Sequence, residues 1–337
     1  MRSIHLVIAD LFLPHQFATE IASGLSLPAL EKLLGRGRSE VAEAMSLEQR
    51  LCGMFGLPCT AEAPIAPVSA TFDGLPDGCW LRADPVHLRL QQDQLVLWPD
   101  VALSADEAAQ LCASLNEHFD GQGLAFFAPH PQRWYLRLDG LPGIETVPLS
   151  VAAGRNVRGL LPRGAEAKRW HQVFNEIQML LFAHPVNAAR EACGKLPVNS
   201  VWLWGAGCSA DAKPCKAYDR VISDDVLVEM FAAAADVPHI HWPEQWHIDG
   251  GGNAQLLVWT GLRQALQRGD LAAWHDALQH FETGYAKPLW RALRSGKITR
   301  LVLEVLTQEN IWRTTLTPAD AWAFWRRCKP LAEYSAS

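Results

Sequence analysis

Three groups of side chains in this sequence have the types and spacing that chemistry needs. Asp10 closes the apolar run Ile4-His5-Leu6-Val7-Ile8-Ala9, which puts a carboxylate at the carboxyl end of a buried strand, the edge where open α/β sheets bind ligands. The second group is the series His184-Pro185-Val186-Asn187, Arg190, Gly194-Lys195-Leu196-Pro197-Val198-Asn199 and Gly205-Ala206-Gly207. A strand ending in Gly-x-Gly can turn backbone N–H groups toward an anion, although Gly and Pro also serve simply as turn residues. The third is His239-Ile240-His241 with Glu244, His247 and Asp249, ahead of Gly250-Gly251-Gly252. Alternate strand residues share a face, so His239 and His241 could ligate a metal together, with His247 folding back and Asp10 as a carboxylate partner. Trp242 and Trp246 argue instead for a packed loop. A basic run, Arg155, Arg158, Arg163, Lys168 and Arg169, offers guanidinium forks for phosphate or carboxylate oxygens, though such runs more often form a solvated face.

Elements must position these groups. Helices are expected over 28–34 and 46–55, the second capped by Ser46 with Gln49 three residues on. Alternation over 86–90 and 95–98 reads as a hairpin, Ser104 with Glu107 opens a helix to about 119, and 124–127 and 133–138 are strand-like. A helical stripe runs from 166 to 183 and a strand over 198–204. Helices are expected over 254–267 and 271–293, the latter broken near Gly284 or Pro288, then a strand over 298–306 and a helix from Pro318 to about 328. Strands alternating with helices around a stretch of different period imply an α/β fold, a mostly parallel sheet flanked by helices with an inserted small α+β domain. The expected division is a core of 1–75 with 160–337 and an insertion of 76–159.

Composition narrows the function class. The 337 residues are 49% hydrophobic and 20% charged, with net charge −6, which describes a globular chain of about two domains rather than a disordered one. Residues 1–150 carry 9 basic and 18 acidic side chains, net −9, and residues 151–337 carry 21 and 18, net +3. An anionic metabolite would therefore be held by the second half. A pI near 6.1 argues against a nucleic-acid partner. No apolar run approaches the roughly 20 residues of a membrane span, and the start shows no leader-like run, so neither a membrane partner nor export is expected and the protein reads as cytoplasmic. Eight cysteines without a C-x-x-C pair imply reduced thiols. The 14 tryptophans read mostly as core, Trp322 and Trp325 sharing a helix face and Trp202 and Trp204 a strand face, with a minority of the tryptophans forming a surface for a protein partner.

The stretch 175–207 resembles the archaeal-type cofactor-independent phosphoglycerate mutases of the alkaline phosphatase superfamily, through its H-P-V-N, R, G-K-x-P-x-N and G-x-G series. It resembles still more closely their bacterial relatives, the RpfE-type regulatory proteins, through Asn175-Glu176-Ile177-Gln178-Met179 and Asn199-Ser200-Val201-Trp202-Leu203-Trp204-Gly205. Fainter echoes lie at Leu27-Pro28-Ala29-Leu30, at 80–88 and at 281–303. The resemblance implies an alkaline-phosphatase-like core, and in the mutases a serine nucleophile with two metal ions held by Asp, Ser and His. Asp10 matches the first-strand metal Asp, but Leu11-Phe12-Leu13-Pro14 replaces the glycine and second acid that follow it. Thr307-Gln308-Glu309-Asn310 stands in place of the late Asp-His pair, Trp204 in place of an arginine, and Ser46 is the nearest serine to a nucleophile. The expectation is a non-catalytic regulatory or ligand-sensing protein with no cofactor. Its ligand contacts would come from Arg155, Arg158, His184, Asn187, Arg190, Lys195, Asn199, Gly205 and Gly207. The alternative is an active phosphomutase or phosphohydrolase with one divalent metal, Mn or Zn, on Asp10, His239, His241 and His247.

Overall fold

The computed structural model describes residues 2–13, 24–58, 62–248 and 252–334. The chain divides into two compact units, Met1–Leu51 with Lys216–Ser337, and Cys52–Cys215.

The first unit is built on a seven-stranded sheet. Its strands are β1 (Ser3–Ala9), β2 (Arg38–Glu43), β8 (Arg220–Ser223), β9 (His239–His241), β10 (Ala254–Trp259), β11 (Arg300–Leu306) and β12 (Asn310–Leu316), in the order β2-β12-β11-β1-β10-β8-β9. β11, β1, β10, β8 and β9 run parallel, β12 pairs antiparallel with β11, and β2 pairs antiparallel with β12 at the edge. A strand covered on both faces reads as an unbroken apolar run, and Leu6, Val7 and Ile8 of β1 are all fully buried. Ile4, Leu6 and Ile8 join Leu301, Leu303 and Val305 of β11 in one core with the helices Pro28–Gly35, Leu271–Phe281 and Lys287–Arg294. The mixed α/β architecture expected from the sequence is thus present.

Several elements differ from expectation. Residues 254–259 are strand β10, not the start of a helix. Ala254-Gln255-Leu256-Leu257-Val258-Trp259 is a central strand between β1 and β8, and a short buried apolar run carries no period that separates strand from helix. The break expected near Gly284 is a π-helical turn, Glu282–Ala286, joining two helices without interruption. It aims the buried Glu282 carboxylate at the backbone N–H groups of Ala29 and Leu30, both 2.9 Å away, which caps a helix whose own N-cap, Leu27, has no side-chain acceptor. The helix expected to reach residue 328 stops at Ala321, where the Arg36 guanidinium donates to the Ala321 carbonyl at 3.1 Å.

The second unit is an antiparallel sheet of β3 (Cys79–Gln91), β4 (Gln94–Trp98), β5 (Ala125–His130), β6 (Arg133–Leu138) and β7 (Ser200–Cys208), packed on the helices Ala105–His118 and Ala167–Phe182. The hairpin turn falls at Gln92 and Asp93, both at positive φ, and the Ser104–Glu107 capping box forms as expected. β7 pairs with β3 rather than entering the parallel sheet, and residues 52–75 and 160–215, assigned by sequence to the core, lie in this unit. The same register sets Cys79 opposite Cys208, and the two form a disulfide, which corrects the expectation of uniformly reduced thiols.

Candidate functional site

The carboxyl edge of the parallel strands gathers charge. Asp10 follows β1, Asp224 and Asp225 follow β8, and Thr260 follows β10. Asp10 sits at φ 59°, a left-handed conformation that Asp tolerates better than most residues. Arg263 spans two of these carboxylates: its Nε donates to Asp10 Oδ2 at 3.0 Å, and its Nη1 lies 3.8 Å from Asp225 Oδ2. Burial works against the Arg263 charge, but Asp10, Asp225 and Glu48 outweigh it and hold the guanidinium ionised. Asp225 also caps the helix Val226–Ala234 through Leu227 N–H at 2.8 Å. Asp224 accepts from the Thr260 backbone N–H at 2.8 Å and its hydroxyl at 3.2 Å. Burial, with the neighbouring Asp225 charge, raises the Asp224 carboxyl above the ordinary range.

The histidine run lies at the sheet edge. β9 pairs with β8 so that His239 is level with Val221 and His241 with Ser223. Burial lowers the pKa of His239, while His241 and His247 are exposed. Trp242 leaves β9 into an aromatic stack, 4.2 Å from the Tyr285 ring, with Phe281 and Trp259 beyond it at 4.3 Å from each other, and Trp246 is buried. The packed-loop reading therefore describes this segment. Among the described residues no three His, Cys, Asp or Glu side chains are placed to hold a metal ion, so Asp10, His239, His241 and His247 do not form the expected ligand set; Asp249 lies outside the described residues.

The series from His184 to Gly207 is mostly spent on the fold. His184 caps the helix Pro185–Ala192, its Nδ1 accepting from Val186 N–H at 3.2 Å. Its Nε2 stands 2.9 Å from Ser114 Oγ, and burial favours the neutral ring. Because Nδ1 is the acceptor, Nε2 carries the proton and donates to Ser114, so the ring is no base for that hydroxyl. Asn187, 2% exposed, donates to the carbonyls of Leu181 and Val198 at 2.7 Å each and accepts from Val198 N–H at 2.8 Å. Arg190 donates to the Leu196 and Ala102 carbonyls and pairs with Glu107 at 3.0 Å. Asn199 replaces a ladder partner, bonding both the N–H and the C=O of Leu88. Asn187→Leu is expected to cost about 2–4 kcal/mol, since it strands three buried backbone groups; urea melts of the variant measure it. Arg155, Arg158 and Lys195 are exposed.

The Gly-x-Gly segment does present N–H groups to an anion, and the anion is internal. Between Trp80/Gly207 and Arg82/Trp204 the ladder gains one residue on β7, a bulge that frees backbone N–H groups from pairing. Gly205 at φ 69° makes the bulge, and its N–H and that of Ala206 donate to Glu62 at 2.9 and 3.2 Å. Thr146 donates to the same carboxylate through its backbone at 2.7 Å and through its hydroxyl. A Cβ on Gly207 would stand 2.7 Å from Pro64 Cβ, so this glycine permits close packing rather than ligand approach.

Trp204 is likewise built into the unit. Its indole N–H donates to the buried Asp84 at 2.8 Å, and Arg82, opposite Trp204 in the ladder, pairs with Asp84 at 2.7 Å. The Arg82 guanidinium lies between the Trp204 and Tyr135 rings, 5.1 and 5.2 Å from their centroids. Ser46 forms the cap expected of it, with Gln49 N–H at 3.2 Å, and is no nucleophile candidate. Sequence reasoning missed Arg263, Asp224 and Asp225. The available signal was Val221-Ile222-Ser223-Asp224, an apolar run ending in Asp as at Asp10, but four residues are too short to assert a strand.

No family model matches the chain. The 2,3-bisphosphoglycerate-independent phosphoglycerate mutase of Methanosarcina mazei is 26% identical over 194 residues, covering 53% of this chain and 48% of the mutase. That of Methanosarcina barkeri is 30% identical over 114 residues, 33% of this chain and 29% of the mutase. These matches mark distant homology to such mutases. The chain spans about half the length, or less, of the curated relatives it matches. The solved PH0037 protein of Pyrococcus horikoshii superposes with TM-score 0.58 over 99% of this chain and 92% of its own, at 12% identity, a likeness of fold.

Proposed function

We propose that this chain is a non-catalytic regulatory or ligand-sensing derivative of the phosphoglycerate-mutase-like fold, of the RpfE type, in which a guanidinium stands where mutases hold metal. The observation that carries this reading is Arg263 between Asp10 and Asp225 at the carboxyl edge of the sheet. A dication brought to those carboxylates would meet a fixed positive charge a few ångströms away, in a setting where like charges repel strongly. The missing late Asp-His pair and second early acid support the same reading, and Trp204 is tied to Asp84 instead of reaching a substrate. The sensed ligand in this reading is a small anionic metabolite met by the exposed Arg155, Arg158 and Lys195.

The test joins metal analysis of the purified protein with an assay of 3-phosphoglycerate to 2-phosphoglycerate conversion in added Mn²⁺ or Zn²⁺. Substoichiometric metal and no turnover are expected, and Arg263→Ala, which uncovers Asp10 and Asp225, is expected to gain Mn²⁺ binding by calorimetry. Stoichiometric metal with turnover that Asp10→Ala abolishes would overturn the proposal.

A further inference from the structure

Beyond the helix Pro318–Ala321 the chain carries three large apolar side chains out into solvent: Trp322, Phe324 and Trp325 are 58%, 79% and 70% exposed. This segment is a built loop and not a frayed end. Ala321 is buried before it and Ala323 within it, Leu331 and Tyr334 are buried after it, and Arg326 is tied back to Asp320 at 2.9 Å. Phe324 and Trp325 meet edge to face with centroids 5.2 Å apart. A single exposed apolar side chain needs no explanation, but three within four residues on one anchored loop do.

Within the loop the charges are of one sign, with Asp320 before it paired to Arg326. Residues 322–330 contain Arg326, Arg327 and Lys329 and no acid, and the end of the helix Lys287–Arg294 adds Arg294, stacked 4.5 Å over the Trp322 ring, with the exposed Lys297 just beyond. Indole and phenyl rings that protrude beside several cations match an interface whose outer layer is anionic and whose next layer is apolar. We infer that this loop docks the protein peripherally on an anionic phospholipid surface, with Trp322, Phe324 and Trp325 entering the headgroup region and Arg294, Arg327 and Lys329 meeting the phosphates. No helix among the described residues is long and apolar enough to cross a membrane, and peripheral docking requires none. A protein partner would have to supply pockets for three protruding rings, whereas a fluid interface accommodates them without one.

Each cation near an anionic surface strengthens binding about fivefold, so docking depends steeply on lipid charge and on salt. Co-sedimentation with phosphatidylcholine vesicles, with and without phosphatidylserine, reads this directly. The full chain is expected to partition at least about tenfold better onto vesicles containing phosphatidylserine and to be released by high salt. Phe324→Ala with Trp325→Ala is expected to weaken partitioning at least about tenfold, and Arg327→Glu with Lys329→Glu to remove the dependence on phosphatidylserine. These positions are exposed, and unchanged thermal melts of the variants separate lost docking from lost folding. Failure of the parent chain to sediment with either vesicle overturns the inference. So does partitioning that the four substitutions leave unchanged. Binding to soluble polyglutamate but not to vesicles, or a concentration-dependent dimer that Phe324→Ala with Trp325→Ala dissolves, would assign the loop to an acidic protein surface or to a second copy of the chain and overturn it equally.

Discussion

Glu304→Gln is expected to lower the unfolding free energy of the parallel-sheet unit by about 3–5 kcal/mol, the cost of removing a buried charge on which two half-buried guanidinium groups converge. Glu304 lies in β11 with no exposed surface. Its carboxylate accepts from Arg50 Nε and Nη2 at 2.6 and 2.7 Å and from Arg313 Nε at 2.7 Å, and His5 Nε2 of the neighbouring β1 is 3.3 Å away. The amide keeps the shape and removes the charge, so two arginines converge on a neutral group. Because Arg50 and Arg313 keep some access to water, at 18% and 30% exposure, and Arg313 keeps its ion pair with Glu40 at 2.8 Å, the cost falls at the lower end of the range. A urea titration measures it as a fall in midpoint with unchanged slope, and a loss under about 1 kcal/mol would mean the arginines find other partners.

The same carboxylate sets an acid limit. Burial alone would raise its pKa, but His5 and the Arg50 guanidinium beside it outweigh burial and hold it well below the usual range. A folded pKa below the unfolded value of about 4.3 contributes stability that is fully present above that value and lost as pH falls through it toward the folded one. The parent chain is therefore expected to lose stability progressively below about pH 5, and Glu304→Gln to show a shallower acid limb over the same window.

Reduction of the Cys79–Cys208 bond is expected to lower the melting temperature of the second unit by on the order of 10 °C. The two cysteines are 129 residues apart in sequence, and closing a loop of that length restricts the unfolded chain by about 4–5 kcal/mol in the chain-entropy account, with native disulfides commonly measured at about 2–5. At about 2–4 °C per kcal/mol for a unit of this size, the shift is well within reach of calorimetry with and without reductant. Alkylation of the denatured, unreduced protein should leave Cys79 and Cys208 unmodified; modification of both would show that the bond is not formed. Cys79→Ser with Cys208→Ser should melt at the temperature of the reduced parent.

How much of this was legible in the sequence varied with the range of the interaction. The capping boxes at Ser46 and Ser104, the 92–93 turn and the helix Ala167–Phe182 are local, decided by residues three or four apart, and they formed as read. β10 was misread because a buried central strand shows no alternation, and β8 was passed over because it is four residues long. The His184–Gly207 series was recognised as special but its use was not. Asn187, Arg190 and Asn199 look like ligand contacts until their backbone partners at Leu181, Leu196 and Leu88 are known.

The sequence by itself determined the fold class and the buried first strand ending in Asp10. Each rests on residue type and short spacing, which a linear chain displays. Only the tertiary structure decided that Arg263 neutralises Asp10, that Glu62 fills the N–H cradle at Gly205, that Cys79 faces Cys208, and which tryptophans are left in solvent. Those outcomes join residues between 129 and 253 positions apart, or depend on where a helix stops. Charge pairing and strand register act through space, so their result is fixed by packing and leaves no period in the sequence from which to read it.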